Sequence, residues 1–243
     1  MRTPRILATS GGFVPGPVQQ SVRLGTMLLD ALSMTDKVRP RVCLVNTATG
    51  DPDSYYAISY EAFNAAGCDV TQLRLFPQPS ADPEDRLCGS NLVWVGGGSV
   101  ANLLALWRLH GVDWAMRAAW EQGVILGGVS AGSLCWHIGG TTDSFGPELQ
   151  PVTNGLGLLP YANGVHYDSE AQRRPLLHEL MKNEVLPPLA YATDDHVGIW
   201  YEGVEATGVV ADMAVADDGP AAYRVELVDG EVVEQRVAVG QSF

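Results

Sequence analysis

The chain has 243 residues, of which 46% are hydrophobic and 18% charged, and its formal net charge is −13. That much apolar material can bury a sizeable core, and so little charge excludes a disordered chain. The acidic balance, with no Lys/Arg cluster beyond the pair Arg173-Arg174, lacks the basic footprint that nucleic acid or an anionic membrane would require.

In chain order, apolar runs rich in Val, Leu and Ile lie at 5–12, 41–48, 69–76, 91–98 and 123–130, several of them ending in Gly, Ser or Thr. Between them, 18–33, 53–67, 99–111 and 113–123 carry apolar residues at helical spacing. Strands alternating with helices predict βαβ units and a parallel sheet covered on both faces. In such sheets the strands' carboxyl ends form the site, so the Gly- and Ser-rich strand ends are candidate site loops. Residues 146–168 read as irregular, 169–184 as one more helix, and the remainder as short strands. Asp229-Gly230 sits at the centre of the last pair and predicts a hairpin. The expected organisation is one α/β domain over 1–243, with a β-hairpin-rich extension of that domain over 205–243.

No stretch approaches the roughly 20 apolar residues of a membrane span, and the opening "MRTPRILATSGG" lacks the apolar core of a secretory signal. Cys43, Cys68, Cys88 and Cys135 have no C-x-x-C spacing and read as reduced thiols, which points to a cytoplasmic setting. Cys135, five residues after Ser130, has a catalytic thiol as its alternative reading.

The stretch with most chemical content is "GGVSAGSLCW", residues 127–136, which contains Gly128-Val129-Ser130-Ala131-Gly132. A G-x-S-x-G pentapeptide between an apolar strand and a helix-compatible run predicts a strained turn. Such a turn lifts a serine hydroxyl out of the sheet, and its flanking glycines avoid clashes. The serine needs a base. His137 would lie two turns down the same helix and point away, His110 caps a helix, and His178 sits mid-helix. His166 and His196 both remain plausible from the residues alone. Asp194 and Asp195 are adjacent, so on an extended strand only one can reach the site. The glycine-rich end of "VGGGSVANLL" (95–104) suits an anion cradle of backbone amides and matches neither a P-loop nor a dinucleotide fingerprint. One histidine beside two carboxylates is a weak metal set, so neither metal nor cofactor is expected.

Taken in order, "VGGGSVANLLALWRLHG", "GGVSAGSLCW", "GGTTDSFG", "GLGLLPYANGVHYDSEAQRRP" and "AYATDDHVGIW" resemble the peptidase E family of serine peptidases, which includes aspartyl dipeptidases and, more distantly, cyanophycinases. The resemblance runs over about residues 5 to 205. It implies a fold similar to that of class I glutamine amidotransferases, flavodoxin-like, with a mainly parallel sheet flanked by helices and, here, a β-rich C-terminal edge. It implies Ser130 as nucleophile, His166 as base and Asp195 as the acidic third member, where the family usually has Glu; Asp194 is the alternative. Oxyanion donors would be the amide of Ala131 and one from Gly97 or Gly98. Arg173 or Arg174, just after the histidine, would recognise an acidic substrate side chain. The implied activity is a dipeptidase-like hydrolysis of short peptides, with N-terminal-Asp dipeptides as candidate substrates. An esterase or amidase with the same triad, or a silent small-ligand-binding homologue, are the alternatives. Residues after about 205 lie outside the resemblance and are candidates for shaping the pocket or a homodimer contact.

Overall fold

The computed structural model describes residues 3–79, 81–216 and 218–243. The chain begins with β1 (Arg5–Thr9), a small hairpin of β2 (Phe13–Pro15) and β3 (Val22–Leu24), and α1 (Thr26–Ser33). There follow β4 (Arg41–Val45), α2 (Asp53–Ala65), β5 (Asp69–Leu73), α3 (Pro83–Cys88) and β6 (Leu92–Val95). Next come α4 (Val100–Leu109), α5 (Val112–Glu121), β7 (Ile125–Val129) and a single turn, α6 (Ala131–Leu134). The remainder comprises β8 (Gly139–Thr142), β9 (Gln150–Val152), β10 (Ala162–Gly164), α7 (Arg173–Lys182) and β11 (Leu189–Thr193). It ends with β12 (Val197–Glu202), β13 (Glu205–Ala211), β14 (Ala222–Val228) and β15 (Glu231–Val237).

The predicted parallel sheet is present. Its order is β13-β12-β1-β7-β6-β4-β5, with β1, β7, β6, β4 and β5 parallel and the last two strands of the chain's first sheet, β12 and β13, antiparallel. Successive side chains of a strand point to opposite faces, and both faces here are covered. Ile6 and Ala8 join Val95, Leu126, Trp107 and Trp136 on one face. Leu7 joins Leu44, Trp94, Met27, Leu28 and Phe63 on the other.

A second sheet was not legible in the sequence. Its order is β15-β14-β11-β10-β8-β9, parallel only across β11-β10-β8. It takes in part of the stretch expected to be irregular, because β9 and β10 are only three residues each, too short to show a period. The helix α7 covers this sheet through Leu177, Leu180 and Met181 against Ala190, Ala192 and Val225. The C-terminal segment is divided between the sheets, β13 ending the first and β14–β15 the second. Three local expectations also change. The helix expected over 18–33 begins only at Thr26, with β3 in its first half. The helix expected over 169–184 spans Arg173–Lys182. The unpredicted α3 has a readable signal, Asp82 accepting from the amides of Glu84 and Asp85 with Pro83 at the first position.

The predicted Asp229-Gly230 turn is formed. Val228 pairs with Glu231, and both central residues have positive φ, 50° and 82°, as a type I′ turn requires. Gly230→Val should therefore lower stability by about 1–2 kcal/mol, read as a shift in the urea midpoint, while Asp229→Asn should stay within about 0.5 kcal/mol. The cysteines give a second expectation. Burial pushes the Cys43 thiol up to about 12, Cys68 to about 11 and Cys135 well above the ordinary range. Only Cys88 is partly exposed. A thiol reagent added to native protein should titrate Cys88 alone, the other three reacting only on unfolding.

Candidate active site

The strand β7 ends at Val129, and at Ser130 the chain turns sharply into α6. Ser130 has φ 56° and ψ −110°, a region an L-residue occupies at a cost of about 1–3 kcal/mol and keeps only when its surroundings impose it. They do so from both sides. Its amide donates to the Thr9 carbonyl at 3.0 Å, and its carbonyl accepts from the amides of Ser133 and Leu134, each at 2.9 Å. The flanking glycines are needed for close backbone approach. A Cβ on Gly128 would stand 2.4 Å from the Gly132 carbonyl oxygen, and one on Gly132 would stand 2.3 Å from that of Val95. No other residue type fits either position.

The end of β6 runs alongside. A Cβ on Gly97 would lie 3.3 Å from Ser130 Cβ and 3.9 Å from its Oγ, so the bare Gly97 backbone borders the hydroxyl. At Gly98, with φ 123°, a Cβ would stand 2.6 Å from the Ala48 carbonyl oxygen. Ala131 opens α6, where a helix's first amides have no intrahelical acceptor.

The second sheet supplies the other half of the site. β10 and β11 are parallel neighbours with Gly164 opposite Ala192, so the residues just beyond their ends emerge side by side. His166 and Asp195 are those residues, and their Nδ1 and Oδ1 are 2.5 Å apart. Burial pulls the Asp195 carboxyl up. The hydrogen bonds from His166 and Ser169, with the nearby imidazoles of His166 and His196, outweigh it and hold the group below the ordinary carboxylate range. The Asp195 amide donates to Asp168 Oδ1 at 2.9 Å. Asp194 points the other way. It is buried, and its Oδ2 accepts from the Ala221 amide at 2.9 Å and the Tyr223 hydroxyl at 3.2 Å. The geometry therefore separates the two aspartates that spacing alone could not. Among the described residues no hydrogen bond joins Ser130 Oγ to His166; catalytic contacts of this kind often tighten only when substrate binds.

The remaining candidates have other partners. His196 faces the buried Asp212, Nδ1 to Oδ2 3.5 Å. His137 does not continue a helix, because α6 stops at Leu134. It is fully buried, its Nδ1 donates to the Ser133 carbonyl at 2.9 Å, and burial lowers its pKa to about 4. His178 lies 2.8 Å from Glu234, and His110 caps α4 as expected. Arg173 is not on a solvated face: it is 2% exposed, with its guanidinium on Glu170 and the Thr141 carbonyl. Arg174 stacks over the rings of Tyr167 and Tyr223 at 4.5 and 4.7 Å and pairs with Glu234 at 3.4 Å. Arg173 is thus committed within the chain, whereas the Arg174 side chain stays 40% exposed. Among the described residues no group of three or more His, Cys, Asp or Glu is placed to hold a metal, and no helix is long and apolar enough to cross a membrane. Sequence reasoning missed Ser10, Thr193 and Asp168 as neighbours of this site; their position at or just beyond strand ends was the available signal.

Similarity to known proteins supplies the family. The model of peptidase family S51 matches residues 6–209. The chain is 36% identical over 203 residues to an uncharacterized peptidase, YgaJ, of Bacillus subtilis (strain 168), covering 84% of this chain and 85% of that one. It is 24% identical over 160 residues to Peptidase E of Shewanella denitrificans, covering 62% and 66% of the two chains. In three dimensions it is similar to the crystal structure of a peptidase from an acI-B1 Actinobacterium, with TM-score 0.71 at 14% identity over 99% of this chain and 96% of that one. A putative peptidase E protein from Listeria monocytogenes EGD-e gives TM-score 0.58 at 15% identity over 97% and 100%. With most of its length inside the family model and a relative this similar along most of both chains, the chain belongs to peptidase family S51 and is, at that level, a peptidase.

Proposed function

We propose that the protein is a serine-type peptidase acting on short peptides, with Ser130, His166 and Asp195 as its catalytic triad on a nucleophile elbow. The observation that carries this reading is the His166–Asp195 contact of 2.5 Å at the same end of the fold as the strained Ser130 turn. Asp195 on Nδ1 fixes the tautomer that leaves Nε2 basic and stabilises the imidazolium that forms when it takes a proton. In the reaction, His166 removes the Ser130 proton as Oγ adds to the scissile carbonyl carbon. The carbonyl π electrons move to oxygen, where the amides of Gly97 and Ala131 hold the charge. Collapse breaks the C–N bond, His166 delivers its proton to the leaving amine, and water repeats the sequence on the acyl-enzyme.

The substrate side of the reading differs from the aspartyl expectation. Of the two arginines expected to recognise an acidic side chain, Arg173 is buried on Glu170 and the Thr141 carbonyl and Arg174 already pairs with Glu234, and a net charge of −13 repels acidic peptides at long range. We therefore place short neutral peptides ahead of N-terminal-Asp dipeptides. A fluorophosphonate should label Ser130 in the wild type and not in Ser130→Ala, and a dipeptide panel should show neutral members cleaved at least as fast as Asp-X. Absence of labelling together with absence of turnover would remove the serine-peptidase reading in favour of a silent binding protein.

The aspartates provide a sharper test. Asp195→Asn should lower kcat/KM by about 10³–10⁴-fold, as expected when a triad's tautomer is lost. Asp194→Asn should lower stability by about 1–3 kcal/mol through its contact to the Ala221 amide and leave kcat/KM within about tenfold.

A further inference from the structure

We propose that Ser10, backed by Thr193, is a positioning residue that holds His166 in the backbone conformation its catalytic orientation needs. The inference rests on the triad reading and adds residues that the sequence motifs do not mark.

His166 has φ 52°, the left-handed region that a non-glycine residue keeps only when its surroundings over-determine it. Its amide donates to Ser10 Oγ at 3.0 Å. Ser10 is buried, as is Thr193, and their hydroxyl oxygens are 2.7 Å apart, with the Thr193 carbonyl at 3.2 Å from Ser10 Oγ. A serine hydroxyl has one proton to give and can accept in return. Ser10 accepts from the His166 amide and has the Thr193 carbonyl and hydroxyl as its other partners, either hydroxyl of that pair being able to donate. The Ser10 backbone is itself pinned, its amide to the Val197 carbonyl at 2.9 Å and its carbonyl to the His196 amide at 3.1 Å. One residue earlier, the Thr9 carbonyl holds the Ser130 amide at 3.0 Å. Two consecutive residues at the end of β1 thus grip the backbones of the nucleophile and the base, and set the spacing between them.

Without the Ser10 hydroxyl, the His166 amide loses its acceptor and the left-handed conformation loses a restraint. The ring then swings off Asp195. Misplacement of a catalytic group by about 1 Å can cost about 100-fold in rate.

The test compares wild type, Ser10→Ala, Thr193→Val and Thr193→Ser in two measurements. The first is saturable inactivation by a fluorophosphonate, which separates kinact from KI. The second is the low-field proton resonance of the His166 Nδ1–H on Asp195, assigned by its loss in His166→Ala. The expected result for Ser10→Ala is kinact lower by about 100-fold, KI within about threefold, and the resonance lost. Thr193→Val should follow Ser10→Ala, while Thr193→Ser, which keeps the hydroxyl, should restore both readouts. A Ser10→Ala protein that keeps the resonance overturns the proposal, whatever its rate, and so does a change confined to KI. If Ser10→Ala does not fold, the Thr193→Val and Thr193→Ser pair decides by the same two readouts. If the wild type is not labelled at Ser130, the nucleophile assignment fails, and the resonance alone decides whether Ser10 positions His166.

Discussion

The site depends on a junction between two sheets at the carboxyl end of β1. That strand lies beside β7, with Thr9 opposite Val129, and beside β12, with Thr9 opposite Gly198. Just beyond its last residue, Ser10 leaves the first sheet and meets the second through Thr193 and His166. Ser130 is delivered by the first sheet, and His166 and Asp195 by the second. Their alignment is as good as the hydrogen bonds that tie the sheets at this point, and those bonds are buried and hence strong in effect.

Three residues with strained backbones meet at the same place. Ser130, His166 and His196 are all non-glycine residues with positive φ. Each is restrained by an amide hydrogen bond to the Thr9-Ser10 dipeptide: to the Thr9 carbonyl, the Ser10 hydroxyl and the Ser10 carbonyl respectively. Such conformations persist where the surrounding structure outweighs their local cost, and here a well-packed parallel sheet with dry faces provides that surplus. The same packing explains the glycines around Ser130, where carbonyl oxygens of neighbouring turns occupy the space a side chain would take.

The polar groups near the site have different partners. Asp195 carries the histidine, while its neighbour Asp194 is spent on the Ala221 amide and the Tyr223 hydroxyl. Arg174 is sandwiched with Tyr167 and Tyr223 and pairs with Glu234, which also meets His178. This cluster fastens α7 to β14 and β15, so an arginine that reads as a recognition element in the sequence also serves packing in the fold. That shift is what moves the substrate reading away from acidic side chains.

The sequence by itself determined the parallel sheet, its helices α2, α4 and α5, the Asp229-Gly230 hairpin and the strand-to-helix turn at Ser130. All of these are local: a period of 2 or 3.6, a turn dipeptide, or two glycines at fixed offsets state the backbone's requirement within a few residues. The resemblance carried by its motifs implied His166 and Asp195, with Asp194 as the alternative. Tertiary structure brought Asp195 rather than Asp194 onto the histidine, set the Gly97 backbone beside Ser130, buried Arg173 and stacked Arg174 on two tyrosine rings. It also created the second sheet from strands of three residues and placed Ser10 against His166, 156 residues away. These outcomes depend on strand register and on which face of a loop is buried. A one-residue change of register reverses every such choice, and no short window of sequence encodes it.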